Sequence, residues 1–274
     1  MPELPEVEMV VRGLRPDMIG RTFVDADVQW ARELVDILPQ QFVGRLVGQH
    51  VEGMHRRAKY IIFELSDDYL LVHLKMTGRL YVTQPGDQTE ADRYLRVVLS
   101  LDDGRELHFS DMRKFGRVYL VADLDPVLGH LGPEPLSDEF TLQIFKERLA
   151  KRSGMIKPLL LNQTFVAGIG NIYADEALWH AQIAPQRKAD KLGADEIERL
   201  YRSIRRALQD GLDAEGSTFS WYRKPDGTPG EYQKQFRAYD REGEPCFRCG
   251  TPIEKIRLGQ RGTHYCPNCQ NNRR

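Results

Sequence analysis

Nowhere in this 274-residue chain do apolar residues run on for the roughly 20 positions that a membrane-spanning helix needs. A spanning helix is therefore excluded. The start of the chain also lacks the charged-then-apolar order of a secretory signal, so the expected location is the cytoplasm. Cysteine is scarce, with only four residues, and in a reducing compartment four thiols suit a metal better than disulfides. Internal repeats and low-complexity tracts are missing too. Net charge is almost absent, at −1. What remains, 41% hydrophobic and 29% charged residues, suits a globular chain of one or two domains.

The small net charge conceals a segregation. Residues 1–144 hold 16 Lys and Arg against 24 Asp and Glu, while residues 145–274 hold 23 against 16. The second part is thus basic beside an acidic first part, which points to a polyanion partner or, equally, to an ordinary solvated surface.

After Pro5, residues Val7, Val10, Val11 and Leu14 follow helical spacing, and the helix is expected to end by Gly20. From Thr22 to Ala122 the pattern is β. The runs 60–65 and 69–74 flank Ser66-Asp67-Asp68, and the runs 97–101 and 106–109 flank Asp102-Asp103-Gly104. Both pairs read as hairpins, and so many close strands imply a sandwich or barrel. Asp123 to Ser137 carries three prolines and reads as a hinge. Helical patterns follow to about Glu215, the strongest over 194–212, and Gly216 to Gly230 reads as a mobile polar loop.

Two motifs carry chemistry. The chain opens Met1-Pro2-Glu3. Removal of Met1 would leave Pro2 with a free secondary amine titrating near ~8, well below a lysine. Such an amine attacking an anomeric carbon collapses directly to an iminium, an electron sink for covalent catalysis, and Glu3 beside it can move protons. Many chains begin Met-Pro without chemical reason, so the dipeptide alone decides nothing. The second motif is Cys246-Phe247-Arg248-Cys249 and Cys266-Pro267-Asn268-Cys269, with 16 residues between the inner cysteines. That spacing is a zinc-ribbon pattern, and a closed shell of four thiolates makes the Zn²⁺ structural; a redox C-x-x-C is the other chemistry open to it. Lys255, Arg257 and Arg261 between the knuckles sit on an expected hairpin that suits phosphate, or are simply a basic surface.

The start Pro2-Glu3-Leu4-Pro5-Glu6-Val7-Glu8, taken with the knuckle pair, resembles formamidopyrimidine-DNA glycosylase, the bacterial base-excision enzyme for oxidised purines. The likeness runs nearly end to end. It takes in Arg56-Arg57-Ala58-Lys59-Tyr60, His73-Leu74-Lys75-Met76 and Asp111-Met112-Arg113-Lys114-Phe115-Gly116. It continues through Leu131-Gly132-Pro133-Glu134-Pro135-Leu136, Gly168-Ile169-Gly170-Asn171-Ile172-Tyr173 and Gly262-Thr263-His264-Tyr265-Cys266. The sister family, endonuclease VIII, shares the Pro-Glu start, but Leu-Pro-Glu-Val-Glu resembles the purine-directed branch.

The resemblance implies an α+β multidomain fold: an N-terminal helix plus β-sandwich (1–123), a hinge (124–137), a helix–two-turns–helix domain with a lid loop (138–235), and a C-terminal four-cysteine zinc finger (236–274). It places double-stranded DNA in the cleft between domains and implies a monomer. Pro2 would form the Schiff base with the lesion's deoxyribose, and Glu3 would assist sugar ring opening. Lys59 would touch phosphate and promote elimination, and Arg261 would clamp phosphates and assist δ-elimination. Glu3 as a helix-end charge and Lys59 as a strand-edge lysine are the plainer alternatives.

A glycosylase must extrude its target nucleotide, which costs a few kcal/mol of unstacking and leaves a gap to fill. Met76, Arg113 and Phe115 match the family's void-filling trio; for Met76 and Phe115 the alternative is core packing. Asn171, after a G-x-G turn and at a helix start, is expected on the DNA backbone, with Lys157 near phosphate as well. The segment 218–232 corresponds to the loop over the flipped base. Two positions depart from the usual pattern: Tyr94 stands where many relatives have histidine, and Ser153, beside Lys151 and Arg152, stands at a basic position. Tyr94 can still bond a phosphate or stack. The expected activity is excision of 8-oxoguanine and formamidopyrimidines followed by β,δ-elimination. The rivals are the same chemistry on oxidised pyrimidines and a non-catalytic zinc-ribbon DNA-binding protein.

Overall fold

The computed structural model describes residues 1–87, 89–218 and 221–271. They divide into two compact units, the first formed by Met1–His130 with Glu215–Glu231, the second by Leu131–Ala214 with the chain from Tyr232 onward.

In the first unit, helix α1 (Leu4–Met18) begins where Pro5 fits an N-terminal turn that needs no N–H donor. Its stripe of Val7, Val10, Val11, Leu14 and Met18 is buried, as the 3.6-residue spacing predicts. Strand β1 (Phe23–Val28), helix α2 (Pro39–Leu46) and strands β2 (Val51–Arg57), β3 (Tyr60–Leu65), β4 (Tyr69–His73), β5 (Gly78–Thr83), β6 (Leu95–Leu101), β7 (Glu106–Asp111) and β8 (Arg117–Val121) follow, then the short helix α3 (Asp125–Leu128). Among the described residues the strands form two antiparallel four-stranded sheets, ordered β1-β6-β7-β5 and β2-β3-β4-β8. Both expected hairpins are present, as β3–β4 and β6–β7. Inward residues of both sheets join the α1 stripe in one core that includes Phe23, Phe63, Leu70 and Phe109. Each such side chain stabilises by about 1.5–3 kcal/mol on burial.

The segment Glu215–Glu231 packs in this unit, not with the helical residues 138–235 among which the expected boundaries put it. Tyr222 enters the sandwich core at 8% exposure. The Ser217 N–H donates to Glu6 Oε1 at 2.7 Å. The Pro225 ring lies against α1, where a Cβ on Gly13 would come within 2.9 Å of it. A buried aromatic side chain, a backbone hydrogen bond and a proline-ring contact outweigh sequence proximity. Phe219 and Ser220 of the expected lid lie outside the described residues.

Glu33 is a buried oddity of this unit. It is fully buried, and neither carboxylate oxygen has a hydrogen-bond partner among the described residues. Burial, then the nearby Asp111 carboxylate, raise its pKa from 4.5 to about 8 against the opposing pull of Arg96, Arg117 and Lys114. The folded state therefore holds a proton that the unfolded chain has released between pH 4.5 and 8, and stability falls as pH rises through that window. We expect Glu33→Gln to leave the thermal midpoint nearly unchanged at pH 4, below the window, and to raise it at pH 8. Parallel midpoint-against-pH curves for the two proteins would refute this.

In the second unit, helices α4 (Leu142–Ala150), α5 (Ile156–Leu161), α6 (Asn171–Ala181) and α7 (Ala194–Asp213) precede the hairpin of β9 (Glu254–Leu258) and β10 (Arg261–Tyr265). Thr141 caps α4, its Oγ1 accepting the Ile144 N–H at 3.3 Å. Helices α6 and α7 pack where Gly211 lets the Tyr173 ring approach; a Cβ there would meet it at 2.4 Å. Glu176 in α6 accepts the N–H groups of Arg237, Ala238 and Tyr239 at 2.8–2.9 Å. That anchors the chain entering the cysteine module. No helix among the described residues is long and apolar enough to cross a membrane.

Candidate active site and nucleic-acid interface

The N-terminal turn of α1 holds the candidate nucleophile. Pro2 is buried, and Glu3 and Glu6 are each 2% exposed. Glu6 is the hub: its Oε2 accepts the Glu3 N–H at 2.8 Å and its Oε1 the Ser217 N–H. One carboxylate thus fixes both the Pro2-Glu3 end and the start of the 215–231 segment. Lys59 is the second residue of the tight β2–β3 turn, whose first, Ala58, is left-handed at φ 53°. Arg56 ties this turn to α1, with Nε on Glu8 Oε2 at 3.1 Å and Nη1 on the Ala58 carbonyl at 3.0 Å.

Lys59 itself is 4% exposed and lies near His73. Burial, with the cations of Lys75, Lys59 and Arg117 around it, drives the His73 pKa down to about 3. A neutral ring agrees with its hydrogen bond, since Nδ1 accepts the Lys75 N–H at 3.0 Å. Three cations around a neutral imidazole make this corner suited to an anion.

The three expected void-filling residues come together at the tips of two turns. Arg113 Nη1 lies 3.0 Å from Met76 Sδ, and its guanidinium stands 4.7 Å from the centre of the Phe115 ring. Met76 is 38% and Phe115 46% exposed, so core packing does not explain either. Tyr94 is half-buried, with its ring edge-on to Trp221 at 5.7 Å. In place of a histidine, this chain has an aromatic contact to the 215–231 segment.

In the second unit, Arg261 is exposed at the end of the β9–β10 turn, where Gly259 (φ 51°) and Gln260 (φ 62°) are both left-handed, as a two-residue hairpin turn demands. Asn171 opens α6, and its Nδ2 donates to the Gly262 carbonyl at 3.0 Å. Lys157 corrects an expectation. It is fully buried, with Nζ 2.6 Å from Asp175 Oδ1, 3.0 Å from the Gly262 carbonyl and 2.8 Å from Thr263 Oγ1. An ammonium so enclosed does not meet a phosphate. It holds β10 just after Arg261, at Gly262 and Thr263.

The four cysteine sulfurs lie within 4.8 Å of one another. Tetrahedral zinc with Zn–S near 2.3 Å needs sulfurs about 3.8 Å apart, so the cluster fits one Zn²⁺ with no open position. Backbone N–H groups of Arg248 and Cys269 point at Cys246 and Cys266 Sγ at 3.5 and 3.3 Å, and the Trp179 indole N–H reaches Cys246 Sγ at 3.4 Å. Such donors favour thiolates and orient them for a metal. Trp179, Ala238 and Ile253 complete a small apolar core with Cys246 and Cys266.

Comparison with known proteins agrees with this layout. Family models match as the formamidopyrimidine-DNA glycosylase N-terminal domain over 1–118, its H2TH domain over 131–222, and the zinc finger found in FPG and IleRS over 243–272. The formamidopyrimidine-DNA glycosylase of Symbiobacterium thermophilum is 47% identical, covering 98% of this chain and 89% of that protein. The chain belongs to the formamidopyrimidine-DNA glycosylase family. A second member, from Herpetosiphon aurantiacus, is 46% identical, covering 98% of this chain and all of that one. Among solved structures, Lactococcus lactis Fpg bound to abasic-site DNA superposes with a TM-score of 0.89 at 36% identity, covering 98% and 99% of the two chains. The same enzyme bound to Fapy-dG DNA gives 0.90, at 36% identity and 98% and 100% coverage. Its complex with DNA containing an oxidised pyrimidine gives 0.89, with the same identity and coverage.

Within this family fold, residues beyond the expected set support the site. Glu6, His73, Asp175 and Glu176 all bond backbone groups that fix site-bearing segments. For Glu6, Asp175 and Glu176 the signal in the chain was an acidic residue inside an apolar helical pattern; His73, at the end of β4, had none of that kind.

Proposed function

We propose that this protein is a DNA glycosylase and AP lyase that removes formamidopyrimidines and 8-oxoguanine from duplex DNA, acting as a monomer on DNA in the cytoplasm. The general class, base-excision glycosylase/AP-lyase chemistry, follows from family membership. The observation that carries the purine-lesion reading is the exposed contact cluster of Met76, Arg113 and Phe115. Two apolar tips can occupy the space of an extruded base. The guanidinium between them offers donors to the acceptor edge of a cytosine, the partner that an oxidised guanine leaves behind.

In this reading the Pro2 nitrogen, freed of Met1, attacks C1′ as the bond to the base breaks, and the base leaves with the bonding electron pair. Glu3 moves a proton to the ring oxygen, so that the sugar opens to an iminium at Pro2. The iminium acidifies C2′. Loss of a C2′ proton expels the 3′ phosphate, and a second elimination expels the 5′ phosphate. Lys59, in its cationic corner, is assigned to the phosphate beside the lesion, and Arg261 and Asn171 to the DNA backbone. Zinc supplies no chemistry here; it keeps the Arg261 hairpin rigid.

Borohydride trapping on duplexes carrying 8-oxoguanine opposite cytosine, followed by peptide mapping, tests the reading. We expect a reduced adduct on Pro2, formed faster than on a thymine-glycol duplex. The reverse order would transfer the chain to the pyrimidine-directed rival. No adduct on either, from zinc-loaded protein with Met1 removed, would leave only DNA binding.

A further inference from the structure

We propose that Thr77 and Asp111 are positioning residues that lock the turns bearing Met76, Arg113 and Phe115 into a single rigid wedge for duplex DNA. This rests on the glycosylase reading above. The Asp111 carboxylate is fully buried. Its Oδ2 accepts the Phe115 and Gly116 N–H groups, each at 2.7 Å, and its Oδ1 accepts the Arg113 N–H at 3.1 Å. The Thr77 hydroxyl donates to that same Oδ1 and accepts the Arg113 N–H at 3.0 Å. A single buried carboxylate therefore gathers three backbone N–H groups of one turn and the hydroxyl of the other.

The cross-link matters because neither turn is relaxed alone. Lys75 (φ 51°) and Lys114 (φ 58°) are both non-glycine residues in the left-handed region. Such backbones persist where surrounding bonds over-determine them. Arg117 adds to the hold through the Phe115 and Gly116 carbonyls, at 3.2 and 2.7 Å, and Arg96 Nε donates to the Asp111 carbonyl at 2.9 Å. All of these bonds lie behind the wedge; none uses the exposed tips.

A wedge acts only where a base stack must be held open. In duplex DNA, a loosened trio loses its orientation and cannot offset the unstacking of the extruded nucleotide. In a single strand there is no facing stack to hold open, and the amine chemistry at α1 proceeds without it. A merely structural role would slow both substrates alike.

The test compares strand cutting at an abasic site in duplex DNA with cutting of the same strand alone, for wild type, Thr77→Val, Thr77→Ser and Asp111→Asn. Thr77→Val keeps shape and loses the hydroxyl; Thr77→Ser restores it. We expect Thr77→Val to lower duplex kcat/KM by about tenfold, with the single-strand value within about twofold of wild type and Thr77→Ser matching wild type on both. Asp111→Asn, which retains one acceptor, should shift the duplex-to-single-strand ratio in the same direction. An unchanged ratio in Thr77→Val and Asp111→Asn, whether both rates hold or both fall together, would overturn the brace. Failure of the wild type to cut either substrate would instead sink the glycosylase reading on which it rests.

Discussion

Extending the chain ahead of Pro2, by a retained Met1 or a short tag, is expected to abolish the borohydride adduct and strand cutting together. The reason lies in the nitrogen. Acylated, it belongs to a planar amide whose lone pair is delocalised into the carbonyl. Freed, it is a secondary amine with a pKa near ~8, so an appreciable fraction is nucleophilic at neutral pH. The expected loss is more than about 10³-fold, as for other enzymes deprived of their nucleophile. The Met76–Arg113–Phe115 wedge and the Arg261 hairpin lie in segments that an N-terminal extension leaves intact, so duplex affinity at fixed salt is expected to persist. Trapping undiminished by the tag would move the covalent step to a lysine, with Lys59 the first to map.

How far the chain announced this arrangement depends on the range of the interactions involved. The cysteine knuckles are local, and their spacing alone forecast four sulfurs that fit one tetrahedral ion. The β3–β4 and β6–β7 hairpins were equally plain, since alternation and short polar turns are local signals. The Met76–Arg113–Phe115 contact was expected only from the motifs, because the two turns are far apart in sequence. Thr77 and Asp111 went unassigned for a related reason: in a turn, either residue reads as an ordinary turn former. The segment 215–231 was grouped with its sequence neighbours. Its membership in the sandwich unit depends on Tyr222 finding a core that no pattern in residues 216–230 encodes. Lys157 shows the opposite error. A lysine in Ile156-Lys157-Pro158, within the helix–two-turns–helix region, reads as a phosphate contact, and a motif carries no information about burial or about Asp175 on the next helix.

Replacing Lys157 separates those two accounts of it. If the ammonium serves as the structure has it, Lys157→Met strands the Asp175 carboxylate in a site where both side chains are fully buried. Removing one partner of a buried ion pair costs about 3–5 kcal/mol, because the remaining charge is left uncompensated. The thermal midpoint should then drop by on the order of 10 °C. Adding Asp175→Asn should recover much of that loss, since it removes the stranded charge while keeping an acceptor for the His264 N–H. If Lys157 instead held a phosphate, Lys157→Met would leave the midpoint in place and reduce the salt dependence of DNA binding by about 0.9 in log–log slope. Scanning calorimetry and a salt titration on the same two variants decide the matter. The structural account also carries a functional consequence. Lys157 and Asn171 both donate to the Gly262 carbonyl, next to Arg261; with Arg261 proposed to assist the second elimination, the single variant should slow that step more than the first. The expected sign is a build-up of the β-elimination product at temperatures where the protein is still folded.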